Sequence, residues 1–166
     1  MTGKTGKKSM SLIRVKQRRI RLPASQKREL RTQFGALCYR YRKDKLQVLL
    51  VTSRTSGRWI IPKGWPMHKA TPADTAAREA YEEAGVEGKI HPICIGIFSR
   101  TDDLGRKRLP SIVAVFPLHT KNLLSEFPEI GQRKRKWVSR KKAAVMVDNP
   151  ELAQLIRGFE PKLLSK

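Results

Sequence analysis

The chain has 166 residues, 39% of them hydrophobic and 30% charged, which is typical of one globular domain and excludes an intrinsically disordered chain. Its 36 lysine and arginine residues against 14 acidic residues give a formal net charge of +22, which favours anionic partners: nucleotides, inositol phosphates, RNA or a membrane surface. No apolar run reaches about 18 residues and no secretory leader pattern is present, so we expect neither a membrane span nor secretion.

Residues 1–30 are predicted to form a basic N-terminal arm, ahead of a single domain over residues 31–160 and a short tail over residues 161–166. Up to Arg28 the arm has no acidic residue, and its few apolar residues show no long periodicity. We expect the arm to be mobile or loosely docked. Two roles stay open for it: contact with RNA or another phosphate-bearing partner, and a mitochondrial transit peptide, which such Arg-rich, acid-poor starts resemble.

The first elements of the domain are predicted to be strands. Phe34–Tyr41 alternates between apolar and polar residues and Leu46–Thr52 is an apolar run, with Lys43–Lys45 between them, which indicates a hairpin. Arg58–Pro62 is a further short strand that the proline ends. The four residues 63–66 have the composition of a loop.

A helix is predicted from Pro72 to Ala84. Thr71 is a suitable N-cap, Pro72 suits the first helical position, and Asp74 lies where an acidic side chain favours the positive end of the helix. Gly85 is a typical C-terminal stop. An alanine-rich stripe along this helix permits close packing on a sheet.

The second half of the chain is predicted to add three strands and two helices. With the elements before it, this order indicates an α/β fold: an α/β/α sandwich with a mixed β-sheet in a single domain. The predicted elements are strands His91–Phe98, Ser111–Leu118 and Lys134–Val138, a polar loop over residues 102–108, a helix capped by Ser139, and a helix from Asn149–Pro150 to about Gly158.

Three glutamates on the predicted helix carry the chemical argument. Residues three and four positions apart share a helix face, so Glu79, Glu82 and Glu83 should project from one side. Crowded carboxylates repel one another, and a hard cation such as Mg²⁺ or Mn²⁺ would relieve that repulsion. Arg78 precedes Glu82 by four positions and is placed to orient it. An exposed charged face is the alternative that this spacing alone leaves open.

The segment around these glutamates resembles the Nudix box, whose pattern is G-x5-E-x7-R-E-U-x-E-E-x-G-U with U apolar. The pattern differs at Ala70, where the family has a glutamate that serves the loop more than the metal. The matching fixed positions are Gly64, Arg78, Glu79, Ala80, Glu82, Glu83, Gly85 and Val86.

This resemblance implies a Nudix-type fold and a hydrolase that cleaves a phosphoanhydride bond by attack of metal-activated water at phosphorus. Glu79 and Glu83 would be the principal ligands of Mg²⁺, with Mn²⁺ as the alternative ion. Glu82 would ligate a further ion or act as base, and the main-chain carbonyl of Lys63 would complete a metal shell. Glu126 or Glu129, before the last strand, is a further candidate for the base.

Outside the box the chain resembles the branch that contains diphosphoinositol polyphosphate phosphohydrolases and dinucleoside polyphosphate hydrolases, through segments such as Val48–Arg54 and Arg133–Trp137. Departures at Lys63, Trp65 and Gln33 bear on the substrate, because the branch usually has glycines around Gly64 and an arginine at residue 33. Arginine matches phosphate bidentately. The predicted substrate-binding cations are Arg54, Arg106, Arg108, Arg133 and Lys134.

Three functions are therefore weighed. The first is hydrolysis of a polyphosphorylated small molecule, the second is removal of a 5′ pyrophosphate from RNA, and the third is a nucleic-acid-binding module on an inactive Nudix scaffold. The three intact glutamates favour the enzymes. Cys38 and Cys94 lie in apolar segments without Cys or His partners, so we expect buried, reduced thiols and a cytoplasmic protein.

Overall fold

A computed structural model describes Arg19, residues 32–104 and residues 107–164; for residues 101–104 and 107–110 it describes the backbone alone. Apart from Arg19, the predicted basic arm lies outside the described residues, as does Arg106. The side chain of Arg108 is not described either.

The described residues form one eight-stranded sheet with three α-helices and a short 3₁₀ helix. No helix within these residues is long and apolar enough to cross a bilayer. The strands are β1 (Thr32–Arg42), β2 (Lys45–Thr52), β3 (Trp59–Ile60), β4 (Lys63–Gly64), β5 (Val86–Ile90), β6 (Gly96–Leu104), β7 (Lys107–Leu123) and β8 (Arg135–Ser139). The helices are α1 (Pro72–Ala84), α2 (Arg140–Met146), α3 (Pro150–Gly158) and the 3₁₀ helix Pro161–Leu164.

The sheet is mixed. Its main path runs β3-β2-β1-β7-β5, while β4 pairs with β1, β6 with β7 and β8 with β2. The central pair β1 and β7 is parallel, and the other pairs are antiparallel. Because β1 and β7 are parallel, the chain between them has to cross over, and α1 lies within that crossover.

Each face of the sheet carries its own core, because side chains alternate between the faces along a strand. One core joins β1 residues such as Ala36 and Cys38 to the alanine stripe of α1. The other joins Leu37 and Leu50 to α2 and α3, with Leu164 of the 3₁₀ helix packed against it. Helices on both faces of a mixed sheet confirm the predicted α/β/α sandwich.

Helix α1 begins and ends where its sequence predicts. The Thr71 hydroxyl accepts a hydrogen bond from the Asp74 amide at 3.0 Å, and the Asp74 carboxylate accepts one from the Thr71 amide, which forms a capping box. Gly85 follows with φ 65°, a left-handed conformation that glycine adopts without strain. The helix that carries the glutamates is therefore fixed at both ends by local chemistry.

Three parts of the predicted pattern were wrong. Most of the polar stretch over residues 102–108 is strand rather than loop: β6 extends to Leu104 and β7 begins at Lys107, with Asp103 paired to Arg108. The strand predicted from His91 begins at Gly96, and β5 was missed. Lys63 and Gly64 pair with β1 as a short strand. For residues 102–104, 107–108 and 63–64, pairing with a neighbouring strand overrides the local preference, as strand propensity depends strongly on context.

The two cysteines differ in their surroundings. Cys38 is buried on β1, as predicted. Cys94 is exposed, which corrects the expectation of a second buried thiol, and its sulfur donates to the carbonyl of Gly96 at 3.2 Å. The segment around Cys94 lies before β6 rather than inside a strand, so its apolar neighbours do not bury it.

Candidate active site

Strand β4 brings the glycine of the motif against the first glutamate. Gly64 pairs with Phe34 of β1, and its α-carbon faces the Glu79 carboxylate. A β-carbon at residue 64 would lie 2.1 Å from Glu79 Oε1, which is inside any van der Waals contact. Only glycine allows the carboxylate to lie directly on this strand, so Gly64 and Glu79 form a matched pair.

The three glutamates of α1 have different surroundings. Glu83 is buried, with 6% of its surface exposed, and Glu79 is half-buried. Glu82 is more exposed and accepts a hydrogen bond from Arg78 Nε at 2.8 Å, the contact that their spacing predicts. Glu79 and Glu83 are thus the inner pair of carboxylates, and Glu82 is the outer one.

Burial changes the acidity of the inner pair. Desolvation raises the pKa of Glu79 to about 7, and repulsion from Glu82 and Glu129 adds to it against the pull of Lys63 and Arg133. Desolvation likewise raises the pKa of Glu83 to about 7, although Arg133 and Lys63 pull in the opposite direction. Near neutral pH both groups therefore gain from any cation that replaces their protons.

A buried arginine pairs with Glu83. Only 8% of the Arg133 side chain is exposed, and its Nη2 donates to Glu83 Oε1 at 3.0 Å. A second donor, Nη1, reaches the carbonyl of Thr52 at 3.1 Å. These contacts leave Glu83 Oε2, which is buried and has no hydrogen-bond partner among the described residues. An unpaired buried carboxylate oxygen is costly.

The inner carboxylates fit a hard divalent cation. The ligand atoms of Glu79 and Glu83 are oxygens, which such ions prefer. A bound ion would give the unpaired Glu83 Oε2 a partner and would lower the raised pKa values of both carboxyl groups. Within the described ranges, however, no three His, Cys, Asp or Glu side chains are grouped closely enough to hold a metal by themselves. The main-chain carbonyl of Lys63 therefore remains a prediction as the third oxygen ligand.

Glu129 belongs to the same cluster. Its amide donates to the Glu82 carbonyl at 3.0 Å, which fixes its backbone against the end of α1. Its carboxylate lies 3.3 Å from Arg133 Nε and 3.2 Å from Arg54 Nη1. Of the two residues considered as an additional base, Glu129 is at the glutamates, whereas Glu126 is exposed on the surface.

The predicted substrate cations separate into two groups. Arg54 is 56% exposed and bonds to Glu129 and to Gln132 Oε1, and Arg133 lies inside the cluster. Lys134 is exposed, and its backbone amide donates to Thr52 Oγ1 at 2.9 Å. Of the remaining two, Arg106 and the side chain of Arg108 lie outside the described part of the chain.

Sequence reasoning missed the pairing of Arg133 with Glu83, because 50 positions separate them and no local spacing relates them. It also missed a polar contact at the start of β1. Gln33 is buried, and Arg100 of β6 donates to its side-chain oxygen at 3.5 Å. Both contacts depend on how the strands are ordered in the sheet.

Comparison with known proteins agrees with this geometry. A family model described as NUDIX domain matches residues 31–159, which is most of the chain. The chain belongs to the Nudix family. The matched range contains all the glutamates of the cluster, together with Gly64 and Arg133, so this Nudix domain holds its candidate site entirely within the family match.

Curated relatives extend the comparison. The chain is 36% identical over 106 residues to diphosphoinositol polyphosphate phosphohydrolase 3-alpha of Mus musculus, covering 62% of this chain and 60% of that protein. It is equally similar to diphosphoinositol polyphosphate phosphohydrolase 2 of Rattus norvegicus, covering 55% of that protein. The Nudix domain thus spans little more than half the length of the curated relatives that it matches.

Solved structures share the fold. The C. elegans Ap4A hydrolase aligns with a TM-score of 0.57 at 21% identity, covering 77% of this chain and 94% of that one. The E. coli dihydroneopterin triphosphate pyrophosphohydrolase aligns with a TM-score of 0.60 at 17% identity, covering 77% and 93%. At this level of identity the likeness concerns the fold alone.

Proposed function

We propose that this Nudix domain is a hydrolase that cleaves a phosphoanhydride bond in a polyphosphorylated small molecule with the help of Mg²⁺, for which Mn²⁺ can substitute. The observation that carries the proposal is the buried pair Glu79 and Glu83, whose pKa values are raised to about 7 beside a glycine strand. Ionising this pair costs free energy mainly because the carboxylates are desolvated, and a bound divalent cation would offset that cost.

In this proposal Glu79, Glu83 and the main-chain carbonyl of Lys63 hold the ion, with Glu82 available for a second one. When bound, the ion supplies Lewis-acid stabilisation of the phosphoryl oxygens and acidifies a bound water. The side chains do the positioning. Gly64 lets Glu79 lie flat on β4, and Arg78 holds Glu82 toward the outside of the helix.

The same residues manage protons and substrate charge. A base has to accept the proton of the attacking water, and Glu82 and Glu129 are the two candidates at the cluster. Arg54 and Lys134 are proposed to bind the phosphates, because both are exposed at this end of the sheet. Arg133 is buried and paired, so we assign it the task of holding Glu83 and Glu129 in place.

The substrate class rests on the relatives. The curated proteins that the chain matches are named for diphosphoinositol polyphosphates, and one solved structure of the same fold is named for Ap4A. We propose a substrate of this kind, a small molecule with several phosphates, in keeping with the net charge of +22. A cytoplasmic location is part of the proposal and rests on the sequence.

The test is a screen with Mg²⁺ of inositol pyrophosphates, dinucleoside polyphosphates, nucleoside triphosphates and 5′-triphosphorylated RNA. Glu83→Gln should lower kcat for the best substrate by a factor on the order of 10³, because the pair loses one of its charges. Glu87→Gln, on the exposed part of β5, is the matched control and should keep wild-type rates. Full activity of Glu83→Gln would refute the proposal.

A further inference from the structure

A second charged surface lies at the end of β1 away from the glutamates. We define it as the basic edge, made of six cations in the β1–β2 hairpin and at the start of α2. All but Arg40 are exposed, and Arg40 is partly so. Asp44, in the hairpin turn, is the one acidic residue among them. The members are Arg40, Arg42, Lys43, Lys45, Lys141 and Lys142.

Strand register places these cations at one end of the sheet. Arg42 lies opposite Lys45, and Arg40 lies opposite Gln47, which lies opposite Ser139 of β8. Ser139 is the N-cap of α2, so Lys141 and Lys142 follow directly from it. With strands about 4.8 Å apart, Arg40 and Ser139 are about 10 Å from each other, and the surface accommodates more than one phosphate.

The charges of the basic edge are not neutralised by the fold. No ion pair with a carboxylate is found for these six side chains within the described part of the chain, whereas the neighbouring Arg140 bonds to Glu160 and to the carbonyl of Phe159. A cluster of exposed like charges is held at a cost in self-repulsion that an anionic partner would remove.

Arg40 adds a feature specific to nucleic acids. Its guanidinium lies 4.2 Å from the ring centre of Trp137, and its Nε donates to Gln47 Oε1 at 2.9 Å, so the plane is held in a fixed orientation. A flat, fixed guanidinium is a surface on which an unpaired base stacks. Lysines around it are suited to phosphates as point charges.

The separation from the glutamates argues for a polymer. Phe34 pairs with Gly64 beside Glu79, and Arg40 is six residues further along β1, which is about 20 Å at the rise of a strand. A compact inositol polyphosphate held at the glutamates cannot reach that far. A single-stranded chain can touch both places.

We propose that the basic edge binds single-stranded RNA through its phosphates and one stacked base. This goes beyond the proposed hydrolysis of a small molecule and does not depend on it. The surface would hold RNA whether or not the RNA is also cleaved.

The experiment measures binding of the full chain to a 20-nucleotide single-stranded RNA between 50 and 200 mM salt. The double variant Arg42→Gln and Lys141→Gln should bind about tenfold more weakly at low salt. Its slope of log K against log salt should be shallower by about 1.4, since each phosphate contact contributes about 0.7 for single strands. Hydrolysis of the best small substrate should be unchanged.

The matched control removes two exposed cations elsewhere, Arg157→Gln on α3 and Lys162→Gln after it. Equal effects of the two double variants on the slope would overturn the proposal, because the charge would then act without a defined surface. So would a basic-edge variant that binds RNA normally yet loses binding to vesicles containing phosphatidylserine. Cross-links from 4-thiouridine RNA should fall within residues 40–45 and 140–142, and cross-links elsewhere would also count against it.

Discussion

The two ends of β1 differ in how their charges are held. At the Phe34 end, Glu83 and Glu129 pair with the buried Arg133 side chain next to the half-buried Glu79. At the Arg42 end, the cations are exposed and meet no carboxylate among the described residues. Buried charged groups have the shifted pKa values that catalysis uses, whereas exposed charges attract an oppositely charged partner and help to hold it.

This difference also separates the two proposals experimentally. Changes at the buried end should alter stability, metal binding and rate, because each residue there has several partners. Changes at the exposed end should alter salt-dependent binding and little else, because exposed cations contribute little to folding.

The largest effect is expected at Arg133. Arg133→Met leaves the Glu83 carboxylate buried without its cation, whereas Glu129 keeps its contact with Arg54, so unfolding free energy should fall by about 3–5 kcal/mol. Urea denaturation at pH 7 measures it. Adding Glu83→Gln to the variant should restore part of the loss, since one buried charge is removed. A fall of less than 1 kcal/mol in the single variant would mean that the ion pair between Arg133 and Glu83 does not form in solution.

The next effect is on the pH dependence of stability. The folded pKa of Glu83 is about 7, above the unfolded value of 4.5, so the folded state holds the proton more tightly. The contribution of Glu83 to stability is therefore greatest at low pH and falls between about pH 4.5 and 7, by up to about 3 kcal/mol.

Thermal unfolding at low salt without divalent ions measures this slope, and Glu83→Gln should flatten it. Mg²⁺ should restore stability most above pH 7, where the carboxylates are ionised. If Glu83→Gln leaves the slope of stability against pH unchanged, other titratable groups cause the pH dependence.

Gly64→Ala tests the contact between β4 and the helix. The added methyl would overlap the Glu79 carboxylate and displace it, so kcat should fall about 100-fold, equivalent to about 2.7 kcal/mol. Gly158→Ala is the control, because a β-carbon there meets nothing within 4 Å. Similar rates for the two variants would show that Glu79 tolerates movement.

The smallest effect concerns the start of α1. Thr71→Ala removes one half of the capping box and should cost about 1 kcal/mol of unfolding free energy. Thr71→Ser keeps the hydroxyl and should cost much less. The rate per folded molecule should stay within about twofold of wild type, because the glutamates lie two to three turns further along the helix. A large loss of rate would mean that the cap also positions the site.

Some parts of the molecule were readable from local sequence. Helix α1 was predicted with its cap, its first proline and its final glycine, because each acts within four residues of the chain. Helical spacing likewise predicted the contact between Arg78 and Glu82. The two strands β6 and β7 were predicted, but their extension toward each other was not, because the polar residues there favour a loop until a neighbouring strand satisfies their backbone.

The sequence by itself determined the family, the alternation of strands and helices, and the glutamates on one helix, since these depend on residue type and short spacing. Only the tertiary structure decided which partners those glutamates meet. Parallel pairing of β1 with β7, and the return of the chain through Glu129 to Arg133, bring together groups about 50 residues apart. Burial then sets their acidity, and burial is a property of the packed sheet rather than of any local stretch.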